Sequence, residues 1–306
     1  MNIWIGRMDG EDKKYHRVFQ RVVLETNYLN IAAGDFVLHG FAVDEGVRRN
    51  LGRLGARTAP DIIRKNMASF PVFRDEFVLK DFQNITCTEH NLELAQEALA
   101  SCIAKTGSQG AKSVVVGGGH EVMWGHYSGI KKAFPNKKIG IITIDAHFDN
   151  REPNTKTGVS SGTGFWQLAQ EREYHTLHIG IQKNSNTRKL FEFAAYSDMP
   201  FILADDLYFA NLPYIFQQID TLSNRVDILY LTICMDVFNA AIAPGVSAMA
   251  YNGIFADAAF LQVHRHIINN NKLVALDIAE VNPLYDINER TARLAAALVN
   301  EWFMVS

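Results

Sequence analysis

Eight short apolar runs recur along the chain, and most are followed by a stretch whose apolar residues return at helical spacing. Residues 35–42, 113–116, 141–144, 177–182, 201–204, 228–233 and 273–278 read as buried strands, and residues 82–86 as a weaker one. Their shortness and their content of Val, Ile and Phe separate them from helices. Between them, Leu92, Ala95, Leu99, Cys102 and Ile103 fall on one helical face. Residues 206–223, 256–270 and 288–303 repeat that pattern. Thr58 offers an N-cap and Pro60 a first-turn residue for a helix through about residue 70. His120 opens another that runs to about residue 134. Residues 1–30 read as helical or irregular. Apolar strands alternating with helices predict an α/β fold with a parallel sheet of about eight strands, covered on both faces. No linker rich in Pro, Gly or Ser interrupts the pattern, so a single domain over residues 1–306 is expected.

The ends of these strands are unusually polar. The run Ile141-Ile142-Thr143-Ile144 stops in Asp145-Ala146-His147-Phe148-Asp149. Alternate residues of an extended segment share a side, so Asp145, His147 and Asp149 can aim at one point. Another strand ends in Gly117-Gly118-Gly119-His120-Glu121, where the glycines let the backbone turn tightly. A third ends in Cys234-Met235-Asp236, and the last in Asp277-Ile278-Ala279-Glu280. Each end alone has a plain explanation, because a polar residue marks where a buried strand surfaces. Ligands of open α/β sheets sit beyond the carboxyl ends of the strands, and four such ends point to a metal centre. His120, Asp145, His147, Asp149 and Asp236 are more donors than one tetrahedral ion needs, and their oxygen-rich set suits manganese-like ions. Two adjacent ions would share bridging carboxylates and activate a water.

Composition adds boundaries. The chain carries 30 Lys and Arg against 33 Asp and Glu, which gives no reason to expect nucleic acid or a membrane surface. No apolar run approaches the length of a membrane span, and residues 1–16 hold no signal-peptide core. Three widely spaced cysteines, Cys87, Cys102 and Cys234, read as reduced thiols of a cytoplasmic protein. Residues 44–57 hold four arginines, Arg48, Arg49, Arg53 and Arg57. They form either a solvated loop or a grip on carboxylates, whose geometry the guanidinium fork matches.

The ordered motifs Gly118-Gly119-His120, Asp145-Ala146-His147-Phe148-Asp149, the Asp236 segment with Ala243-Pro244-Gly245, and Leu276-Asp277-Ile278-Ala279-Glu280-Val281-Asn282-Pro283 resemble those of the ureohydrolases, the arginase and agmatinase family. The resemblance runs from about Gly40 to Pro283. Within the family, residues 44–56, Gly117-Gly118-Gly119-His120-Glu121, Ser160-Ser161-Gly162-Thr163 and Ala243-Pro244-Gly245-Val246-Ser247-Ala248 are most similar to the formimidoylglutamase branch. The resemblance implies a three-layer α/β/α fold with a mainly parallel eight-stranded sheet. It implies two Mn²⁺ ions, and hydrolysis of N-formimidoyl-L-glutamate to L-glutamate and formamide, a step of histidine degradation.

By the same resemblance His120 would bind one ion and His147 the other, Asp145 would bridge them, and Asp236 would bind the second. Asp149 would bind one ion and hold the attacking water. Glu280 would face the cationic amidine. Arg48, Arg53 and Arg57, with Ser161 and Asn186, are the substrate-binding candidates. Cys234 stands where the family has a bridging Asp. It is a thiolate ligand, a bystander at a weaker site, or the mark of an impaired relative. Hydrolysis of another amidine, such as agmatine or guanidinobutyrate, is the alternative activity. Relatives are often homo-oligomers, which the apolar last helix is compatible with.

Overall fold

The computed structural model describes residues 3–305. Strands β1 (Val22–Leu24), β2 (Phe36–Ala42), β3 (Leu79–Thr86), β4 (Lys112–Val116), β5 (Ile139–Ile144), β6 (His175–Ile181), β7 (Phe201–Leu203), β8 (Ile228–Cys234) and β9 (Leu273–Ala279) form one sheet. Its order is β1-β3-β2-β4-β9-β8-β5-β6-β7, and every neighbouring pair is parallel. The helices are α1 (Glu45–Arg49), α2 (Ala59–Met67), α3 (Leu92–Ser108), α4 (Val122–Ala133), α5 (Gly164–Leu168), α6 (Arg188–Tyr196), α7 (Leu212–Arg225), α8 (Ala258–Ile268) and α9 (Arg290–Val305).

Side-chain alternation along each strand builds two cores. On β5, Ile142 and Ile144 enter one core while Ile139 and Ile141 enter the other. The first core takes the apolar faces of α2, α7, α8 and α9, and the second those of α3, α4, α5 and α6. Each helix thus buries one stripe against the sheet, which gives three layers, α/β/α. Local chemistry sets several helix starts. The Asp257 carboxylate accepts from the Ala259 and Phe260 amides at 3.0 Å each, capping α8. Asn91 does the same for α3 through the Leu94 amide.

Three sequence expectations need correction. Among the described residues the sheet has nine strands, not eight, because residues 22–24 add an edge strand in a stretch read as helical or irregular. They are partly or fully exposed, so no buried run marks them. Thr58 does not cap α2; its hydroxyl donates to the Gly55 carbonyl at 2.9 Å. The arginine-rich stretch is not all loop, since Glu45–Arg49 forms α1.

Candidate metal centre

The strand order sets the site. β4, β9, β8 and β5 are neighbours, so residues that follow four separate strands meet at one end of the sheet. His120 lies four residues beyond β4, Asp145 directly follows β5, Cys234 ends β8, and Glu280 directly follows β9. Gly118 has φ +80, and a Cβ there would stand 2.6 Å from the Phe41 carbonyl oxygen. Only glycine fits that turn.

His120 Nδ1 lies 2.7 Å from Asp145 Oδ2 and 2.8 Å from Asp149 Oδ2. His147 Nδ1 lies 3.2 Å from Asp236 Oδ2 and 3.5 Å from Asp145 Oδ1. The donor atoms form two groups, His120–Asp145–Cys234 and Asp145–His147–Asp236, each within 4.8 Å. Asp145 belongs to both. Among the described residues, Asp145 Oδ2, Asp236 Oδ1 and Glu280 Oε2 are buried without a hydrogen bond; the His120 approach to Asp145 Oδ2 is close but not aligned as one. Orphaned buried carboxylate oxygens are costly unless a cation takes them. The residues present therefore fit a pair of divalent ions bridged by Asp145.

Electrostatics agree. Burial alone would lower the pKa of both imidazoles, but Asp145 and Asp149 around His120, and Asp236 and Asp145 around His147, hold them well above the usual value. Burial would raise Asp145, yet His120 and His147 keep its carboxyl below the usual range. Burial raises Asp149 and Asp236. Burial also raises Glu280, with Glu121 and Asp236 adding to it. Without metal, the cluster keeps positive charge on its imidazoles to balance crowded acids.

Backbone supports hold the donors. Asp149 (φ 47) and Glu280 (φ 65) both adopt left-handed conformations, which cost about 1–3 kcal/mol and cluster at functional sites. The Glu280 amide donates to the Gly118 carbonyl at 2.8 Å, and the His120 amide donates to Glu280 Oε1 at 3.0 Å. Phe148 anchors the Asp145–Asp149 loop, packing edge-on against Phe191 and Phe201. Beneath the donors, His120 Nε2 reaches the Thr232 hydroxyl at 2.9 Å. Thr232 leads to Asp277, which also takes Tyr230 and His126.

A cavity of about 500 Å³ opens over the donors. It is lined by His120, His147, Asp149, Cys234, Asp236 and Glu280, and on its outer side by Asn50, Arg53, Arg151, Ser161 and Ser247. Of the substrate-binding candidates, Arg53 and Ser161 face it. Arg53 is set by the Ser247 carbonyl at 2.9 Å and by the Tyr285 ring at 4.2 Å. Ser161 accepts from Asn50 Nδ2 at 3.2 Å. Arg48 and Arg57 line a separate pocket of about 170 Å³, and Arg48 pairs with Glu45 at 2.6 Å. Asn186 is buried, accepting from the Phe148 amide at 3.0 Å and donating to the Ala146 and Gln182 carbonyls. It braces the donor loop from below. His39 and His126 are fully buried in polar networks away from the cavity lining. Arg151 was missed in sequence. Its signal was available, because it continues the alternation Asp145, His147, Asp149 by one more step.

The chain matches the arginase family model over residues 34–305, and it belongs to that family. It is 38% identical over 308 residues to the formimidoylglutamase of Staphylococcus carnosus, covering 98% of this chain and 97% of that protein. It is 36% identical over 307 residues to that of Staphylococcus aureus, with the same coverage. The crystal structure of formimidoylglutamase from Bacillus subtilis superposes with a TM-score of 0.86 at 19% identity, over 98% of this chain and 95% of that one. Trypanosoma cruzi formiminoglutamase with Mn²⁺ superposes with a TM-score of 0.79 at 24% identity, over 89% and 93%. These structures share the three-layer fold. The chain is an enzyme of the hydrolase class.

Proposed function

We propose that the chain is a formimidoylglutamase, hydrolysing N-formimidoyl-L-glutamate to L-glutamate and formamide in histidine degradation, with two Mn²⁺ ions. The observation that carries the reading is that Arg53 and Arg151 line the same cavity as the donor cluster. The relatives' names support it. Guanidinium groups on the outer wall suit a substrate that ends in carboxylates. They repel the free ammonium of agmatine, which disfavours that substrate, whereas guanidinobutyrate, which ends in one carboxylate, remains the alternative.

His120, Asp145, Cys234 and Asp149 would hold one ion, and Asp145, His147 and Asp236 the other. When bound, the ions supply Lewis acidity that brings the pKa of water towards neutrality. The chain does the rest. Glu280, whose Oε2 is buried without a partner, ionises against the amidinium and fixes its plane. Arg53 and Arg151 take the glutamate carboxylates, and Ser161 and Asn50 line the passage between. Arg48 and Arg57 line a separate pocket, and Asn186 holds the donor loop through its main chain. The water oxygen adds to the formimidoyl carbon while Asp149 receives its proton. The bond from that carbon to the glutamate nitrogen then breaks as the nitrogen takes that proton, and the remaining hydroxyl proton passes to the freed amine, leaving formamide and the glutamate ammonium.

The test is glutamate release from N-formimidoyl-L-glutamate by Mn²⁺-loaded protein, with agmatine and arginine as controls and the metal counted on the same sample. Turnover of the formimidoyl substrate alone is expected. Turnover of agmatine instead would overturn the substrate assignment, and no turnover of any amidine would make the chain an impaired relative.

A further inference from the structure

The two donor groups that share Asp145 are chemically unequal. One combines an imidazole, a carboxylate and a thiol in His120, Asp145 and Cys234; the other has an imidazole and two carboxylates in Asp145, His147 and Asp236. A buried thiol usually behaves as a small hydrophobe among apolar neighbours. Cys234 is 1% exposed, yet its sulfur lies within 4.8 Å of ligand atoms of His120 and Asp145, and it lines the cavity with Asp149, Asp236 and Glu280. Three oxygens of those carboxylates are buried without a hydrogen bond. A thiol set among orphaned acceptors is placed as a donor to a cation. Soft thiolate favours zinc- and cobalt-class ions, whereas Mn²⁺ favours hard oxygen.

We propose that Cys234 is a thiolate ligand, and that it makes the His120 half of the centre selective for a zinc- or cobalt-class ion while the His147 half keeps the preference for hard ions such as Mn²⁺. This rests on the metal-centre reading above and deepens it from two like ions to an unequal pair. As the ion enters, the sulfur–metal bond forms and the thiol proton passes to solvent.

The test uses the full chain, stripped with chelator and reloaded with about one equivalent of Co²⁺. Wild type is expected to show thiolate-to-cobalt charge-transfer absorption in the near ultraviolet, and Cys234→Ser and Cys234→Asp to lose it. Cys87 and Cys102 remain in both variants, so any contribution from them cancels. In a second measurement, Zn²⁺-loaded wild type is expected to retain about one Zn²⁺ per chain against excess Mn²⁺, and Cys234→Asp to lose it. Cobalt spectra that match between wild type and Cys234→Asp overturn the proposal, as does equal loss of zinc. Absence of the band in wild type overturns it even where a variant fails to fold. Turnover is scored separately. The band without turnover keeps the ligand assignment and overturns the activity; turnover without the band does the reverse.

Discussion

Thr232 stands between His120 and Asp277: its hydroxyl lies 2.9 Å from His120 Nε2 and donates to Asp277 Oδ1 at 2.5 Å. A hydroxyl whose proton is committed to a carboxylate must accept from the imidazole. The Nε2 proton of His120 is therefore held in place, and the proton that an ion displaces is the one on Nδ1, which faces the centre. Thr232→Val removes the acceptor without changing side-chain shape. It is expected to weaken binding of the His120-side ion roughly 10- to 100-fold, while Thr232→Ser restores most of it. Chelator competition, with thermal melting as a check on folding, measures both.

Metal removal reverses the pH response of stability. In the metal-free protein both imidazoles have pKa values raised well above 6.5. A raised folded-state pKa contributes stability that is fully present below the unfolded value and is lost as pH rises through the folded one. The stripped protein should therefore melt at progressively lower temperature as pH climbs above 6.5. Metal binding displaces those protons, so the gain in melting temperature on adding Mn²⁺ should grow over the same range. Melts with chelator and with Mn²⁺ across the range check this. A gain independent of pH would contradict it.

Arg151 lines the cavity, and among the described residues its guanidinium makes no side-chain hydrogen bond or ion pair. A charge-assisted bond to a substrate carboxylate contributes about 1.5–3 kcal/mol. Arg151→Ala should raise KM for N-formimidoyl-L-glutamate roughly 10- to 100-fold, the same energy as a ratio. It should leave a formimidoyl amine without carboxylates almost unaffected. Steady-state kinetics on the two substrates separate this from a general loss of activity.

Gly118 tests the backbone of the site. A Cβ there meets the Phe41 and Val43 carbonyl oxygens at 2.6 and 2.8 Å, with φ at +80. Gly118→Ala should destabilise the protein by at least about 2 kcal/mol, read by urea denaturation. Because the Gly118 carbonyl accepts from the Glu280 amide and Glu280 Oε1 accepts from the His120 amide, His120 should shift and metal affinity fall with it.

That these polar side chains meet at one end of the sheet was legible in the sequence for a local reason. His120, Asp145, His147, Asp149, Cys234, Asp236 and Glu280 each follow a strand buried on both faces, and parallel neighbours bring such ends together. The arginines were not legible in the same way. Arg48 turns back to Glu45 within α1, three residues away, whereas Arg53 is fixed by the carbonyl of Ser247, distant in sequence. Which arginine faces the cavity is decided by that long-range contact, which composition does not carry. Asn186 is likewise placed by contacts that sequence does not carry, since its side chain bonds the main chain of the donor loop. β1 escaped because an exposed edge strand leaves no apolar run.

The place of β9 in the sheet bears on how the protein is made. It is the latest strand in sequence, and it lies between β4 and β8. Before it inserts, the chain is two half-sheets, one carrying His120 and the other carrying Asp145, His147, Asp149, Cys234 and Asp236. The Asp145–His147–Asp236 group lies wholly on one half, whereas the His120–Asp145–Cys234 group joins the two, so the latter is complete only once the last strand has threaded into the middle. Until that moment the flanks of β4 and β8 are unpaired, and runs such as Val114-Val115-Val116 are open templates for association with other chains. An ion held by the proposed His120–Asp145–Cys234 group would bind only the closed sheet, and so would act as a latch on the finished molecule.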